Sequence, residues 1–239
     1  MAGHSKWAQI KYKKAVTDAK KSKIFSKISA LITVAARTGG PNPESNPSLR
    51  EVIEKARALN LPQENIERAI KRGSGQLAGA SLEPVTYEAY GPGGIATVIM
   101  AITDNKNRTL AEIREIVSRH GGKLAQAGSV LWLFREMGLL AVPGEKWTEN
   151  LELQLIDVGA EEIKNKGNDK IVFVSPLRLG KAQTLLSNAG IYAESRMEFL
   201  PENPVVITDP VVKKSLASFF QELDDHIDVT EIYSNVSEG

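Results

Sequence analysis

Apolar and polar positions follow two different periods along the chain, and the period changes near residue 76. In the first part, apolar residues recur every three or four positions, as on the buried face of an amphipathic helix. The segment "KIFSKISALITVAAR" places Ile24, Ile28 and Leu31 on one such stripe. Glycines and prolines in "ARTGGPNPESNPS" then end the helix. The pattern therefore predicts a long helix that is packed from about Ile24 onward.

Two more helices are predicted before residue 76. Ser48 and Glu51 have the spacing of a capping box, which favours the start of a helix that runs to about Leu59. Pro62 is typical of a helix start and Gly73 of a helix end. The first 75 residues are therefore predicted to be all-helical.

Beyond residue 76 the pattern is that of strands alternating with helices. "PVTYEAY" and "IATVIMAIT" predict two strands joined by a turn at "GPGG", "NRTLAEIREIVSRHGG" predicts a helix, and "SVLWLF" predicts another strand. Residues 136–203 then give the order strand, helix, strand, strand, helix, strand, which is the ferredoxin-like split βαβ order. The final helix "PVVKKSLASFFQELDDH" and strand "VTEIYSNV" are predicted to complete the sheet that begins near residue 85.

These elements predict an α+β protein with three domains. A basic helical domain is expected at 1–78, and an α/β domain at 79–135 plus 204–239. A ferredoxin-like α/β domain is expected at 136–203, inserted into the middle one.

Charge is distributed unevenly between the two parts. The chain holds 30 Lys+Arg and 29 Asp+Glu, a net charge of +1, yet residues 1–75 carry 15 basic and 6 acidic residues, a net charge of +9. A basic module next to an acidic body is typical of a protein that binds a polyanion through one end. The alternative is a set of lysine-rich helix faces that only meet solvent.

Composition narrows the class of protein further. The sequence has no apolar run of 18 or more residues and no secretory signal pattern, so no membrane partner is expected. It has no cysteine, which excludes disulfides, thiolate metal sites and cysteine nucleophiles and fits a cytoplasmic protein.

Residues suited to catalysis or metal binding do not form a recognisable pattern. His4, His120 and His226 are isolated in the sequence, and "YGPGGIAT" favours a hairpin turn over a phosphate loop. Arg108 in "TDNKNRT" lies near a predicted helix start, where a cation is disfavoured. It indicates a bound ligand or an interdomain ion pair, and the alternative is a helix cap with a structural ion pair. No enzyme activity, cofactor or metal is therefore expected.

The basic end carries the candidate site. Its cations are interleaved with aromatic rings, and phosphates attract such cations while unpaired bases stack on such rings. For Trp7, the alternative is a hydrophobic anchor on a helix. The predicted nucleic-acid contacts are Lys6, Trp7, Lys11, Lys13, Lys14, Lys20, Lys21, Lys23, Lys27, Arg68, Lys71 and Arg72.

Several blocks of the sequence together resemble one family. "MAGHSKWAQIKYKKAVTDAKKSKIFSK", "NPSLREVIEKARALNLPQENIERAIKRGSG", "YEAYGPGGIATVIMAITDNKNRT" and "GGKLAQAGSVLWLF" are similar to blocks of the YebC family, also called YebC/PmpR. That family includes the mitochondrial translational activator of cytochrome oxidase. The resemblance implies three domains and a regulator of gene expression without catalysis.

The resemblance leaves two functions open. One is a transcriptional regulator that binds promoter DNA, and the other is a ribosome-associated factor that binds ribosomal RNA and eases translation of proline-rich stretches. The basic module fits both, and the mixture of lysines with aromatic residues fits RNA slightly better. The common expectation is a cytoplasmic nucleic-acid-binding regulator, with its oligomeric state left open.

Overall fold

A computed structural model describes residues 18–237 and shows a mixed α+β protein. The helices are α1 Asp18–Gly39, α2 Pro47–Ala58, α3 Gln63–Gly73, α4 Lys106–Arg119, α5 Glu149–Val158, α6 Pro176–Asn188 and α7 Pro210–Asp225. The strands are β1 Glu83–Tyr90, β2 Ala96–Thr103, β3 Lys123–Leu124, β4 Phe134–Val142, β5 Ala160–Lys166, β6 Asp169–Val174, β7 Glu194–Pro201, β8 Val205–Val206, β9 Val229–Ser234 and β10 Val236–Ser237. The predicted helical character of the N-terminal part is confirmed within this range.

Helices α1, α2 and α3 share one apolar core. Ile32 of α1, Leu49 of α2 and Ile66 of α3 are almost wholly buried in it. Gly73 lets α1 and α3 approach closely, because a Cβ there would collide with the carbonyl oxygen of Thr33. The hydroxyl of Thr33 lies 2.8 Å from the carbonyl oxygen of Ser29 in α1 and 3.2 Å from that of Ala69 in α3. The two helices are therefore in close contact at Gly73 and Thr33.

The loop between α1 and α2 shows that the predicted capping box is wrong. Asn46 is the N-cap, its side chain accepts from the backbone N–H of Leu49 at 3.1 Å, and Pro47 is the first helical residue. Asn46 also donates to the carbonyl oxygens of Ala35 and Gly40. Ser48 is already inside the helix, so the buried asparagine takes the capping role instead.

The first sheet has the strand order β3-β1-β2-β9. The predicted β1–β2 hairpin is confirmed, with antiparallel pairing from Glu83 opposite Thr103 to Tyr90 opposite Ala96. Strand β9 joins this sheet by pairing with β2, so the final strand completes the sheet as predicted. Helices α4 and α7 pack on this sheet through a core that includes Ile113, Phe219 and Ile99.

The segment "SVLWLF" is not the predicted strand. A short 3₁₀ turn occupies Leu131–Leu133, and β4 begins only at Phe134. The buried carboxylate of Glu88 explains the difference, because it accepts from the backbone N–H groups of Val130 at 2.6 Å and Leu131 at 2.8 Å. Those N–H groups are therefore occupied and cannot join a strand ladder.

The described chain separates into two compact units. Residues up to Trp132 together with those from Asn203 onward form one unit, which contains the helical region and the first sheet. Leu133–Glu202 forms the other, with elements in the order β4, α5, β5, β6, α6, β7. Its four strands are antiparallel in the order β5-β6-β4-β7, and α5 and α6 cover one face. Among residues 18–237, no helix is long and apolar enough to cross a membrane.

Candidate nucleic-acid interface

Two lysines of α1 hold the C-terminal end of α7. Lys23 donates to the carbonyl oxygen of Asp225 at 2.9 Å. Lys27 is buried, donates to the carbonyl oxygen of Asp224 and lies 3.7 Å from the carboxylate of that residue. The last carbonyls of a helix lack partners within it and form the negative end of its dipole, so they attract cations. These two lysines therefore fix α1 against α7.

Three cations of α3 make no such contact with another helix or with an acid among the described residues. Arg68, Lys71 and Arg72 are exposed. Among the described residues, no carboxylate lies within 4.0 Å of their side-chain nitrogens. Lys71 and Arg72 are in the last turn, where the helix dipole favours them. None of the three therefore forms an ion pair with a carboxylate in the described part of the chain.

A cleft of about 670 Å³ opens between α1, α3 and the edge of the first sheet. Its volume is within the range of ligand sites in proteins. Its lining consists of Lys21, Ser22, Phe25, Ser26, Ser29 and Ala30 from α1, Asn65, Arg68, Ala69 and Arg72 from α3, and Leu82, Ile102, Ile227 and Asp228 from the sheet side.

The side chains that α1 contributes to the cleft are mostly small and therefore leave its volume open. Ser22, Ser26, Ser29 and Ala30 follow one another at helical spacing and present hydroxyls and a methyl group to the cleft. The hydroxyl of Ser26 donates back to the carbonyl oxygen of Ser22 at 3.0 Å, so it stays close to its own helix. Phe25, half-buried beside them, adds one aromatic ring to the lining.

The sheet side contributes apolar surface and one acid. Ile227 is 53% exposed and lies beside the buried Ile102. The acid is Asp228, whose carboxylate accepts from Arg108 at 2.8 Å and from Thr109 at 2.6 Å. Burial raises the pKa of Asp228, but these two donors and the positive charge of Arg108 outweigh it and hold the pKa below its ordinary value. The negative charge of Asp228 is therefore already paired.

Arg108 has a structural partner rather than a ligand in this arrangement. Asn105 is the N-cap of α4 and accepts from the backbone N–H of Arg108 at 3.1 Å. The guanidinium reaches Asp228, and it also lies 3.1 Å from the carboxylate of Asp104. Of the two alternatives that the sequence left open for "TDNKNRT", the structure shows the helix cap with an ion pair.

Two histidines that are isolated in the sequence have carboxylate partners in space. The Nε2 atom of His120 lies 2.7 Å from Glu222, and that of His226 lies 2.9 Å from Glu112. Glu112, His226 and Asp228 also form a group with possible metal-ligand atoms within 4.8 Å of one another. Arg108 already supplies the positive charge for its carboxylates, so we assign the group to an ion-pair network.

The structure brings together only part of the predicted site. Lys21, Arg68 and Arg72 line the cleft, and Lys71 lies on the same helix outside it. Lys23 and Lys27 hold α7 instead. Lys20 lies in α1, where only its backbone is described. The remaining predicted contacts lie outside the described residues: Lys6, Trp7, Lys11, Lys13 and Lys14.

Sequence reasoning missed the uncharged part of the cleft. Ser22, Ser26 and Ser29 recur at intervals of four and three residues in a helix with an otherwise apolar face. That spacing was the available signal, because it puts three hydroxyls on one face. Phe25 reads in the sequence as a core residue, and Ile227 carries no signal of its exposure.

Fold and site define a class of protein: a mixed α+β chain whose helical region presents, along a cleft, cations that form no ion pair with a described carboxylate. A sequence model described as the TACO1/YebC protein N-terminal domain matches residues 5–76, and one described as the TACO1/YebC second and third domain matches residues 82–236. The chain belongs to the TACO1/YebC family.

Similar proteins extend over nearly the whole chain. Relatives from Thermotoga petrophila and Thermotoga maritima, each named "Probable transcriptional regulatory protein", are 47% identical over 237 residues, which is 98% of this chain and 93% of the relative. The crystal structure of a conserved hypothetical protein from Aquifex aeolicus is similar with a TM-score of 0.82 and 40% identity, covering 98% of both chains.

Proposed function

We propose that this protein is a non-catalytic regulator of gene expression that binds nucleic acid through its helical region. The observation that carries the proposal is the set of exposed cations on α3 that no described carboxylate compensates. An isolated cation on a protein surface attracts phosphates, whereas a cation that is already paired offers little further attraction. The net charge of +9 over residues 1–75 adds a long-range attraction for the same partner.

The names of the relatives support regulation of transcription as the main form of this function. In that form, the helical region binds promoter DNA, and Lys6, Trp7, Lys11, Lys13, Lys14 and Lys20 remain predicted contacts beside the described cations. We leave Lys27 out of the proposed set because its ammonium group is buried at the end of α7. A cytoplasmic location also remains part of the proposal.

We also propose that the chain is divided into three domains. We treat the helical region 1–78, the α/β part 79–135 plus 204–239 and the inserted part 136–203 as three domains. The antiparallel strand order of Leu133–Glu202 supports a ferredoxin-like classification of the inserted part. In the inserted part, Lys164 is paired with Glu162 at 2.9 Å and Arg196 with Glu198 at 3.2 Å. We assign nucleic-acid binding to the helical domain because residues 1–75 carry the net charge of +9.

A second candidate function is a translation factor that binds ribosomal RNA. It is favoured by the concave position of Lys21, Arg68 and Arg72 along a cleft. A DNA reader of the helix-turn-helix type projects a recognition helix into the major groove. Proteins that recognise RNA commonly take up unpaired nucleotides in pockets instead.

Crosslinking in living cells followed by sequencing of the co-purified nucleic acid tests the proposal. One sample carries the native protein, and a second carries Lys21→Glu, Arg68→Glu, Lys71→Glu and Arg72→Glu together. A matched control changes four exposed lysines outside the helical region to Glu: Lys146, Lys166, Lys181 and Lys213.

The three samples separate the possible outcomes. Promoter DNA that is enriched by the native and control proteins and lost with the first variant is the expected result. Ribosomal RNA with the same dependence would replace transcription by translation as the function. Equal recovery from all three samples would show that the basic region only faces solvent, and the proposal would fail.

A further inference from the structure

We propose that the cleft between α1 and α3 holds a single unpaired nucleotide of a nucleic-acid strand, with its phosphate on Arg68 and Arg72 and its base beside Phe25. This inference rests on the proposed function and goes further, because it names the form of nucleic acid and the place where one nucleotide is held. It concerns only described residues of one compact unit.

The positions of the three cations that line the cleft suit the binding of one phosphate group. Arg68 and Arg72 are one helical turn apart on α3, so their side chains lie on the same face, and Lys21 faces them from α1. An arginine guanidinium binds phosphate oxygens in a planar, two-pronged geometry that lysine cannot reproduce. Two arginines and a lysine around one cleft therefore form a site for a phosphate group.

The uncharged lining suits a base and a sugar. Phe25 offers an aromatic ring, and bases stack on such rings with little dependence on sequence. Ile227, exposed at 53%, gives an apolar surface on the other side. The hydroxyl groups of α1 and the amide of Asn65 supply hydrogen-bonding partners. This mixture of apolar surface and few polar groups is typical of small-ligand sites.

The acid in the wall does not oppose this assignment. A carboxylate beside a phosphate would normally repel it. Asp228 is bonded to Arg108 and Thr109, which lie on α4, and Arg108 supplies a compensating charge. The net charge contributed by the lining and this partner is therefore positive.

The walls of the cleft are held in place from outside it. Lys23 and Lys27 bind the carbonyl oxygens at the end of α7, which fixes α1 relative to the sheet side. Gly73 and Thr33 fix α3 against α1. A space with fixed walls accepts a nucleotide that is out of a duplex, whereas paired and stacked bases are not free to enter it.

The experiment measures binding of the full-length protein to a labelled six-nucleotide single strand, as RNA and as DNA, to a twelve-base-pair duplex and to AMP. The double variant Arg68→Gln with Arg72→Gln removes two cations from the cleft. Its matched control, Arg50→Gln with Arg57→Gln, removes two exposed arginines of the same helical region that do not line the cleft. Thermal unfolding of each variant checks that it is folded.

A second variant blocks the cleft without changing charge. Ser26→Trp places a large ring in the space from an exposed position, and Ser48→Trp, at an exposed position of α2 outside the cleft, is its control. We expect the arginine double variant to weaken single-strand binding about tenfold or more and to reduce its salt dependence by about 0.7 per lost phosphate contact. We expect Ser26→Trp to weaken the same binding about tenfold with unchanged salt dependence, while the two controls change it less than about threefold.

The outcomes distinguish this inference from the function on which it rests. Binding of the native protein to duplex but not to single strands would leave the proposed function standing and overturn the cleft assignment. Equal effects of the arginine double variant and its control, or no effect of Ser26→Trp, would also overturn it. If AMP binds as tightly as the strand and with the same arginine dependence, the ligand is a free nucleotide and the assignment to a strand is wrong. Absence of all binding would remove both proposals.

Discussion

The three cations of α3 and three of the four cations of α4, all but Arg114, carry the same charge but differ in their surroundings. Arg68, Lys71 and Arg72 have no carboxylate within 4.0 Å among the described residues. On α4, Arg108 contacts Asp228 and Asp104, and Arg119 contacts Glu115 and Glu222.

This difference shows that charge in a sequence predicts a polyanion site only after its partners are known. A paired arginine contributes to stability and is electrostatically satisfied, whereas an unpaired one on the surface is available to a phosphate. The same distinction divides α1, where Lys23 and Lys27 serve the contact with α7 and Lys21 faces the cleft. The predictions below test whether the paired cations determine stability and the unpaired cations determine binding to nucleic acid.

The largest stability effect is expected at Glu88, a buried charge of the sheet region. Its carboxylate accepts three backbone N–H groups, from Gly128 at 2.5 Å and from Val130 and Leu131. Glu88→Ala leaves these donors without a partner, so we expect the free energy of unfolding to fall by about 3 kcal/mol or more. Urea unfolding monitored by circular dichroism measures it. A loss below about 1 kcal/mol would show that solvent or a shifted loop satisfies the three groups.

The pH dependence of stability provides a second test at Glu88. Burial raises the pKa of Glu88, but the bonds from the backbone N–H groups outweigh it and hold the pKa below its ordinary value. The stability contributed by this ionisation is therefore complete above the unfolded-state pKa of about 4.3 and is lost as the pH falls through the folded-state pKa. We expect the difference in unfolding free energy between the native protein and Glu88→Gln to be constant from pH 7 to about pH 5 and to shrink below about pH 4. A difference that grows with acidification would contradict this sign.

The next effect is expected at Lys27, the buried cation of α1. Lys27→Met keeps the length of the side chain and removes the ammonium group that binds Asp224. We expect a loss of about 2 kcal/mol in the free energy of unfolding, because a hydrogen bond to a charged group is removed and the end of α7 loses a donor. Lys23→Met, at the exposed neighbouring contact, is the control and should cost less than about 1 kcal/mol. An equal loss of unfolding free energy at both positions would show that burial does not strengthen the contact of Lys27.

A smaller effect is expected at Arg108. Arg108→Gln removes the guanidinium from Asp228 and Asp104 but leaves the N-cap Asn105 in place. The side chain is 42% exposed, so the expected loss is about 1 kcal/mol. Thermal unfolding at low and high salt measures it, and the effect should be smaller at high salt because exposed pairs are screened. A loss that is independent of salt would show that packing of the side chain matters more than its charge.

A structural feature can be predicted from the sequence when it depends only on residues close to one another along the chain. Helical periodicity and turn residues are local, so the three N-terminal helices and the β1–β2 hairpin follow from short stretches. The failure at "SVLWLF" has a distant cause, because Glu88 lies about 40 positions away and takes the N–H groups that a strand would need. In the helical region, Asn46 displaces Ser48 as the cap because its amide also reaches the end of α1.

The candidate site is predictable in part for the same reason. Basic residues are visible in the sequence, so Lys21, Arg68 and Arg72 are among the predicted contacts. Lys23 and Lys27 differ from Lys21 only through α7, which lies about 200 positions away along the chain. The pairing of Asp228 with Arg108 joins residues 120 positions apart. Which charges are free is therefore a property of the tertiary structure and not of the local pattern.

The smallest stability effect and the sharpest test of the comparison are expected at Arg72. Arg72→Gln removes a cation with no described carboxylate partner, so the free energy of unfolding should change by less than about 0.5 kcal/mol. Binding to nucleic acid should weaken nonetheless, and the slope of log K against log salt should fall by about 0.7 to 0.9 for the one lost phosphate contact. Arg108→Gln should show the opposite, with lower stability and unchanged binding. If Arg72→Gln destabilises the protein as much as Arg108→Gln does, its charge is structural, and the distinction between paired and free cations does not separate folding from function.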